Sequence, residues 1–224
     1  NKVLVLIGPR RVGKTELLKK IASEINETVL FLNGDDIQTH NFLEQRSTEN
    51  YKRLLGETRF LIIDEAQEIE DIGRKLKLMV DTIDGLKVLI SGSSAFEINN
   101  QVGEPLVGRM SVFKMFPLAQ LEFATYENLI ETRGRLEDRL IYGGYPELVH
   151  LSSNPEKEKY LKEIVYSYLL KDILAFKGIK KREKILSLLQ IMAYRVGSEI
   201  SLEGLGNDLQ ISKNTVEKYL DLFS

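Results

Sequence analysis

The stretch Gly8-Pro9-Arg10-Arg11-Val12-Gly13-Lys14-Thr15 decides the fold of this chain. It matches the pattern G-x-x-x-x-G-K-[ST], in which backbone N–H groups of a glycine-rich loop surround phosphate oxygens. The apolar run Val3–Ile7 precedes it and predicts a strand, whereas residues 14–25 follow it with the apolar spacing of a helix. Strand, loop and helix in this order predict a phosphate-binding loop at a helix N-terminus, so all eight residues are candidates for nucleotide binding.

Four residues carry groups suited to ATP and Mg²⁺. Lys14 supplies a positive charge for the β- and γ-phosphates, and the Thr15 hydroxyl is a Mg²⁺ ligand in this motif. Asp64 follows the apolar run Phe60–Ile63, which predicts a buried parallel strand, and α/β sheets bind ligands at the carboxyl ends of such strands. We therefore expect Asp64 to hold Mg²⁺ and the adjacent Glu65 to activate a water molecule for hydrolysis. The alternative is that both carboxylates end a strand and cap a helix.

Residues 1–120 alternate apolar runs with helical patterns, which is typical of βαβ units. The predicted strands are Val3–Ile7, Val29–Leu32, Phe60–Ile63, Lys87–Ile90 and Ser111–Phe116, and the predicted helices are 14–25, 40–55, 70–84 and 94–107. The fold class is therefore α/β, with a five-stranded parallel sheet flanked by helices on both faces. Residues 33–36, Asn-Gly-Asp-Asp, predict a turn and a helix cap, or acidic groups near the nucleotide.

The rest of the chain reads as helical. Predicted helices span 118–133, 135–142, 155–176 and 182–194, with an interruption at residues 143–146, Gly-Gly-Tyr-Pro. We divide the chain into an ATPase core at 1–120, a helical lid at 121–180 and a partial winged-helix or helix-turn-helix unit at 181–224. In that last unit Ser201 and Ser212 each cap a predicted helix. The apolar positions between and after them have the spacing of a helix-turn-helix core: Leu202, Leu205, Leu209, Ile211, Val216 and Leu220.

The second helix of this unit is a candidate for contact with duplex DNA. Lys213, Asn214, Thr215 and Lys218 are expected on its exposed side, where helix-turn-helix proteins contact bases and phosphates. Charge gives this hypothesis little support, because residues 151–224 carry twelve Lys and Arg against ten Asp and Glu. The alternative is a unit that packs on its own ATPase or binds protein.

Composition sets limits on the class of protein. The 224 residues are 43% hydrophobic and 29% charged, as in ordinary globular chains, and are enough for one large domain or two small ones. The absence of cysteine excludes disulfides and thiolate metal sites and fits a reducing cytoplasm, the location that we expect. His40 and His150 are isolated from ligand-spaced clusters, and no apolar run is long enough for a bilayer. The helical pattern is still running at Ser224, so we expect a fragment of a longer protein.

Several motifs together resemble the prokaryotic AAA+-like ATPases whose core is followed by a winged helix and a C-terminal domain of unknown function. The resemblance spans nearly the whole chain, and one element also resembles the STAND ATPases. The motifs are the loop GPRRVGKT, the acidic run FLIIDEAQ, Ser91-Gly92-Ser93-Ser94, Leu106-Val107-Gly108-Arg109, Phe116-Pro117-Leu118 and, as the element shared with STAND proteins, Tyr142-Gly143-Gly144-Tyr145-Pro146-Glu147.

This resemblance implies further site residues. Ser91 or Ser93 would be the polar residue that contacts the γ-phosphate or orients water, and a plain Gly-Ser turn is the alternative. Arg109 would be an arginine finger acting in cis or in trans within a homo-oligomer, and a surface Arg paired with a carboxylate is the alternative. Tyr145 and Pro146 would pack near adenine, or else Pro146 simply breaks a helix.

Four functions fit these motifs to different degrees. An ATPase in which hydrolysis switches the helical and winged-helix regions fits best, and a DNA-binding regulator in which nucleotide only orders the structure is the alternative. The run Asp-Glu-Ala-Gln is also found in superfamily-2 helicases, but the sequence lacks a second RecA-like domain. A small-molecule kinase would need an acceptor site, and no motif for one is present.

Overall fold

A computed structural model of the chain describes residues 2–93, 102, 105–169 and 182–221. The chain forms two compact units, Asn1–Lys157 and Glu158–Ser224. Most of the predicted helix at 94–107 lies outside the described residues, as does the end of the predicted helix at 155–176. The three-part division at residues 120 and 180 stays a prediction.

The first unit is built on one parallel sheet. Its strands are β1 (Val3–Ile7), β2 (Val29–Asn33), β3 (Phe60–Asp64), β4 (Lys87–Gly92) and β5 (Met110–Lys114), in the order β2-β3-β4-β1-β5. The register pairs Ile7 with both Gly92 and Lys114, and Asn33 with Asp64. All five strands therefore end at the same edge of the sheet, and the predicted five-stranded parallel sheet is confirmed.

Helices cover both faces of this sheet because strand side chains alternate between faces. The helices that follow β1, β2 and β3 are α1 (Lys14–Glu24), α2 (Ile37–Glu44), α3 (Thr48–Leu55) and α4 (Ile72–Thr82). Val3, Val5 and Ile7 belong to one buried cluster, which takes Tyr51 from α3 and Leu76 from α4. The other face buries a second cluster, in which Leu6, Ile62 and Leu89 pack with Leu18 of α1.

The predicted helix at 40–55 is wrong, because the chain forms two helices there. Ser47 caps α3 by accepting a hydrogen bond from the Asn50 backbone N–H. The Asn50 side chain donates to the carbonyl oxygens of Phe42 and Gln45, which fixes the end of α2. Asp36 caps the start of α2, so residues 33–36 form the predicted turn and cap.

The described segment after β5 contains three short helices, and no long helix begins it. They are α5 (Gln120–Phe123), α6 (Leu129–Gly134) and α7 (Leu136–Tyr142), so the predicted helix at 118–133 is wrong. Asn128 caps the start of α6, because its side chain accepts hydrogen bonds from the backbone N–H groups of Ile130 and Glu131. Glu127 joins the helices, since its carboxylate accepts from Arg139 of α7, and Arg139 also lies 3.8 Å from the centre of the Phe123 ring.

The helix α8 (Asn154–Glu163) continues into a π-helical turn at Ile164–Leu169, and residues 182–221 form three helices. These are α9 (Arg182–Tyr194), α10 (Leu202–Leu209) and α11 (Lys213–Asp221), close to the predicted bounds. Their shared core consists of Ile185, Leu188, Leu205, Leu209, Val216 and Tyr219. None of the described helices in either unit is both long and apolar enough to cross a membrane.

The turn between α10 and α11 is tight. Gln210 adopts a left-handed conformation with φ of 52°, and the Ile211 N–H donates to the Gly206 carbonyl at 3.0 Å. Ser201 and Ser212 cap the two helices as predicted. No β-strand occurs in the described part of this unit, residues 158–169 and 182–221, so the winged-helix assignment stays a prediction.

Candidate nucleotide site

The glycine-rich loop leaves β1 at the carboxyl edge of the sheet and ends in α1. Arg11 and Gly13 have positive φ values of 64° and 99°, and alternation of this kind turns successive N–H groups toward one side. Val12 is buried and anchors the loop, whereas Pro9 and Arg11 are exposed and Arg10 is half-buried. Local geometry therefore forms the curved loop that the sequence predicts.

Gly8 is required by a close approach of the chain that leaves β5. A Cβ atom at Gly8 would lie 2.2 Å from the carbonyl oxygen of Met115, far inside van der Waals contact. The Met115 N–H donates to the carbonyl of Ile7 at 2.7 Å, which holds the two segments together. The first glycine of the motif thus allows the chain after β5 to pack against the start of the loop.

Lys14 lies over the loop that it follows. Its side chain is buried, and Nζ donates to the carbonyl oxygens of Gly8 and Pro9, both at 2.9 Å. A buried ammonium group is costly unless polar groups surround it, and here the loop backbone provides them. These hydrogen bonds hold the positive charge against the backbone of the loop.

Asp64 is buried where β3 ends beside the loop. Its Oδ2 atom accepts a hydrogen bond of 2.6 Å from the Thr15 hydroxyl, and its Oδ1 atom accepts one from Ser91 at the end of β4. Three segments distant in sequence thus converge on one carboxylate. Ser91 is fully buried and also accepts from the Glu65 N–H at 3.2 Å, so its hydroxyl both donates and accepts.

The backbone at Glu65 departs from the strand. Glu65 has φ of 49° and ψ of 45°, a left-handed conformation that costs free energy for a residue other than glycine or asparagine. Gly34, after β2, packs directly against it. A Cβ at Gly34 would lie 2.1 Å from the Glu65 carbonyl oxygen, and the Gly34 N–H donates to the Asp64 carbonyl at 2.8 Å. His40 closes this arrangement through a 2.6 Å contact between Nε2 and the Gly34 carbonyl.

Gln67 also belongs to this site, although the sequence reasoning gave it no role. It lies on a short 3₁₀ helix, Ala66–Glu68, and its Nε2 atom donates to Glu65 Oε2 at 2.5 Å and to Ser93 Oγ at 3.3 Å. In the sequence, only its position two residues after Glu65 indicates that it belongs to the site. The two serines therefore have different partners. Ser91 contacts Asp64 directly, whereas Ser93 is linked to the Glu65 carboxylate through Gln67.

The structure places Arg109 at the opposite edge of the sheet. Its carbonyl accepts from the N–H of Val3, the first residue of β1, so about five residues of strand, roughly 17 Å, separate it from the loop of its own chain. Its Nε atom forms an ion pair of 2.9 Å with Asp81 on α4, and both side chains are partly exposed. A role in cis does not fit this position. The alternative given above, a surface Arg paired with a carboxylate, is observed as the ion pair with Asp81.

Tyr145 and Pro146 lie in a turn that is joined to the end of the β5 segment. The Leu118 N–H donates to the Gly144 carbonyl at 2.7 Å, and a Cβ at Gly144 would lie 2.2 Å from the Leu118 carbonyl oxygen. Both Tyr145 and Pro146 are half-buried, and burial raises the pKa of the Tyr145 hydroxyl. Pro146 begins a 3₁₀ helix at Pro146–Val149. It therefore also interrupts the helical pattern, which was the alternative role given above.

The four DNA-contact candidates on α11 are not equally accessible. Lys213, Asn214 and Lys218 are exposed, but Thr215 is half-buried and its hydroxyl lies 2.8 Å from Ser212 Oγ at the helix cap. Lys213 forms an exposed ion pair of 3.2 Å with Glu203 on α10. Exposed pairs contribute about 0–1 kcal/mol, so Lys213 is available to another anion at little cost.

The Asp64 carboxylate and the Thr15 hydroxyl offer two neighbouring oxygen atoms of the kind that Mg²⁺ binds. Among the described residues no cluster of three or more His, Cys, Asp or Glu side chains could hold a metal ion. Mg²⁺ commonly takes one or two protein oxygens and completes its shell with phosphates and water. Two oxygens 2.6 Å apart beside a phosphate loop fit that requirement.

Comparison with known proteins decides the family. Residues 1–124, more than half of the chain, match the family described as AAA domain. The chain belongs to the AAA domain family. This match confirms the AAA+-like resemblance, and residues 133–224 match a family described as a domain of unknown function. The AAA domain therefore contains the whole sheet and the phosphate loop.

Relatives of this AAA protein occur in bacteria and archaea. An uncharacterized protein of Haemophilus influenzae is 28% identical and aligns with 98% of this chain and 59% of its own length. An uncharacterized protein of Methanocaldococcus jannaschii is 26% identical and aligns with 100% of this chain and 55% of its own length. The chain thus spans little more than half of these relatives. A solved structure of a Thermotoga maritima RuvB variant aligns with 98% of this chain and 79% of its own length, with 16% identity and a TM-score of 0.42.

Gly34→Ala is expected to destabilise the AAA domain by about 1–3 kcal/mol, because the added methyl group would overlap the backbone that bears Glu65. Gly134→Ala is the matched control, since a Cβ at Gly134 meets no atom within 4 Å. Urea unfolding of both variants and the wild type measures the difference. Equal midpoints for Gly34→Ala and Gly134→Ala would contradict the close approach at Gly34.

Proposed function

We propose that this AAA domain binds Mg·ATP and hydrolyses it, and that the nucleotide state changes the conformation of the attached helical region. The observation that carries this proposal is the buried Asp64 carboxylate, 2.6 Å from the Thr15 hydroxyl and beside the phosphate loop. A buried carboxylate is costly unless it is hydrogen-bonded, paired with a cation or bound to a metal ion. Family membership supports the same activity in general terms.

Binding is assigned to the phosphate loop and the residues at its two sides. Residues 8–15 would hold the phosphates through their backbone, with Lys14 as the fixed positive charge. Thr15 and Asp64 would hold Mg²⁺, which offsets negative charge on the phosphate oxygens. Tyr145 and Pro146 are proposed to contact adenine, because their turn is hydrogen-bonded to the segment that packs on Gly8.

Hydrolysis is assigned to Glu65. Its side chain is half-exposed at the edge of the sheet, adjacent to the proposed Mg²⁺ ligand, so a carboxylate oxygen can accept a proton from water. Ser91 would keep Asp64 and the Glu65 backbone in place through its two hydrogen bonds. A switch further requires that the two conformations differ in affinity for ATP and ADP.

Glu65→Gln is expected to bind Mg·ATP with near wild-type affinity and to lose most turnover, because an amide does not take a proton from water. Lys14→Ala is the comparison, since loss of the loop cation should abolish binding as well. Isothermal titration calorimetry measures affinity, and a steady-state phosphate-release assay measures turnover. Wild-type turnover in Glu65→Gln, or unchanged affinity in Lys14→Ala, would contradict the respective assignment.

Arg109 is proposed to act in trans on the site of a second copy. Its position at the opposite edge of the sheet excludes contact with the loop of its own chain, and its side chain is 44% exposed despite the pair with Asp81. An arginine that reaches a neighbouring site would stabilise charge on the transferred phosphoryl group.

Mixing Arg109→Ala with Lys14→Ala protein is expected to restore part of the ATPase activity, because one interface then joins an intact loop to an intact Arg109. A mixture of Lys14→Ala and Glu65→Gln is the control and should stay inactive, since both residues belong to one site on one chain. Turnover is measured against mixing ratio. No restoration, together with equal losses in Arg109→Ala and Asp81→Ala, would assign Arg109 to the ion pair alone.

Duplex DNA is the second candidate partner, through the exposed residues of α11. The favouring observation is that Lys213, Asn214 and Lys218 are exposed on the second helix after a tight turn. In this alternative, nucleotide would chiefly order a DNA-binding regulator. The small charge excess of this region predicts weak and salt-dependent binding.

Lys213→Ala combined with Lys218→Ala is expected to reduce the slope of log affinity against log salt by about two units, since each lost phosphate contact removes about 0.9. Lys52→Ala combined with Lys77→Ala removes the same charge from α3 and α4 and should leave the slope unchanged. Fluorescence anisotropy with a labelled duplex in the full chain gives the slopes. Absence of duplex binding at low salt, or the wild-type slope in the first variant, would make α11 a packing or protein-contact element.

A further inference from the structure

Gln67 is a buried amide between two groups at the carboxyl edge of the sheet. Its side chain is 7% exposed, and its Nε2 atom contacts both the Glu65 carboxylate, at 2.5 Å, and the Ser93 hydroxyl, at 3.3 Å. Glu65 follows β3 and Ser93 follows β4, so one side chain joins the ends of two neighbouring strands. Ser93 is itself buried, which fixes the other end of this bridge.

The Glu65 carboxylate depends on such a contact for its orientation. The backbone there is already left-handed and is held by Gly34 and by the Ser91 hydroxyl, but these contacts reach only main-chain atoms of Glu65. Beyond the Cα atom, the side chain is half-exposed and can rotate about three bonds. A general base must lie within about 2.6–3.2 Å of the water that it activates, and a misplacement of about 1 Å can cost 10²-fold in rate.

We propose that Gln67 is a positioning residue for Glu65 and that it couples the orientation of this carboxylate to Ser93 at the end of β4. This inference rests on the proposed hydrolysis by Glu65. One amide hydrogen holds Oε2, which leaves Oε1 for water, while the other follows the position of Ser93. One buried side chain thereby links the base to the end of β4.

Gln67→Met tests the first part, because methionine is unbranched, of similar length and apolar, and so fills the buried space without donating hydrogen bonds. We expect kcat to fall about 10- to 100-fold, with the affinity for Mg·ATP unchanged. Gln38→Met on the exposed surface of α2 is the matched control and should keep wild-type kcat. Should Gln67→Met fail to fold, Gln67→Leu removes the donor with a smaller apolar side chain and is expected to lower kcat in the same way.

A double-mutant cycle separates positioning from a merely structural role. In the Glu65→Gln background, Gln67→Met should cause no further loss in single-turnover rate, because its effect passes through Glu65. Ser93→Ala and Gln67→Met should likewise combine less than additively. Circular dichroism and the melting temperature of each variant establish that it is folded.

The outcomes distinguish the inference from the proposed function. Near wild-type turnover in Glu65→Gln overturns Glu65 as the base, and with it the role of Gln67. Loss of turnover in Glu65→Gln with wild-type kcat in Gln67→Met overturns the positioning role alone. An equal loss from Gln67→Met in both backgrounds, or a weakened affinity for Mg·ATP, assigns Gln67 to general packing and also overturns the inference.

Discussion

The hydrogen bonds of the buried Asp64 carboxylate are the interactions on which the rest of the site depends. They join Thr15 of the phosphate loop, Asp64 of β3 and Ser91 of β4. A carboxylate in the interior must be matched by donors, so these three segments cannot shift independently without loss of free energy. Because β3, β4 and β1, the strand that leads to Thr15, are consecutive in the sheet order, the fold itself brings these groups together.

Close backbone contacts refine this arrangement. Gly8 allows the chain after β5 to pack on the loop, and Gly34 allows the chain after β2 to pack on the left-handed Glu65. Each contact joins the carboxyl end of one strand to that of another. Strain at Glu65 is therefore maintained by its neighbours, as is common where backbone conformation serves a site. In this way the outer strands β2 and β5 also contribute to the geometry of the central ones.

The three proposed roles depend on residues in different places of the sheet. These roles are Mg·ATP hydrolysis, the action of Arg109 in trans and the positioning of Glu65 by Gln67. Thr15 and Asp64 lie at the carboxyl edge, and Gln67 links that edge from β3 to β4. Arg109 lies at the amino edge, where its pair with Asp81 keeps it at the surface. The proposed binding, hydrolysis and contact between copies therefore involve different residues and are separable by substitution.

The sequence by itself determined the phosphate loop, the five strands and the acidic pair Asp64–Glu65, because these depend on local apolar runs and on residues adjacent along the chain. It misjudged the helices at 40–55 and 118–133, where side chains such as Asn50 and Asn128 end or begin helices through specific hydrogen bonds. Only the tertiary structure decided the partners of Ser91, Ser93 and Gln67 and the edge on which Arg109 lies. Those depend on strand order and register, which bring together residues that no spacing along the chain relates.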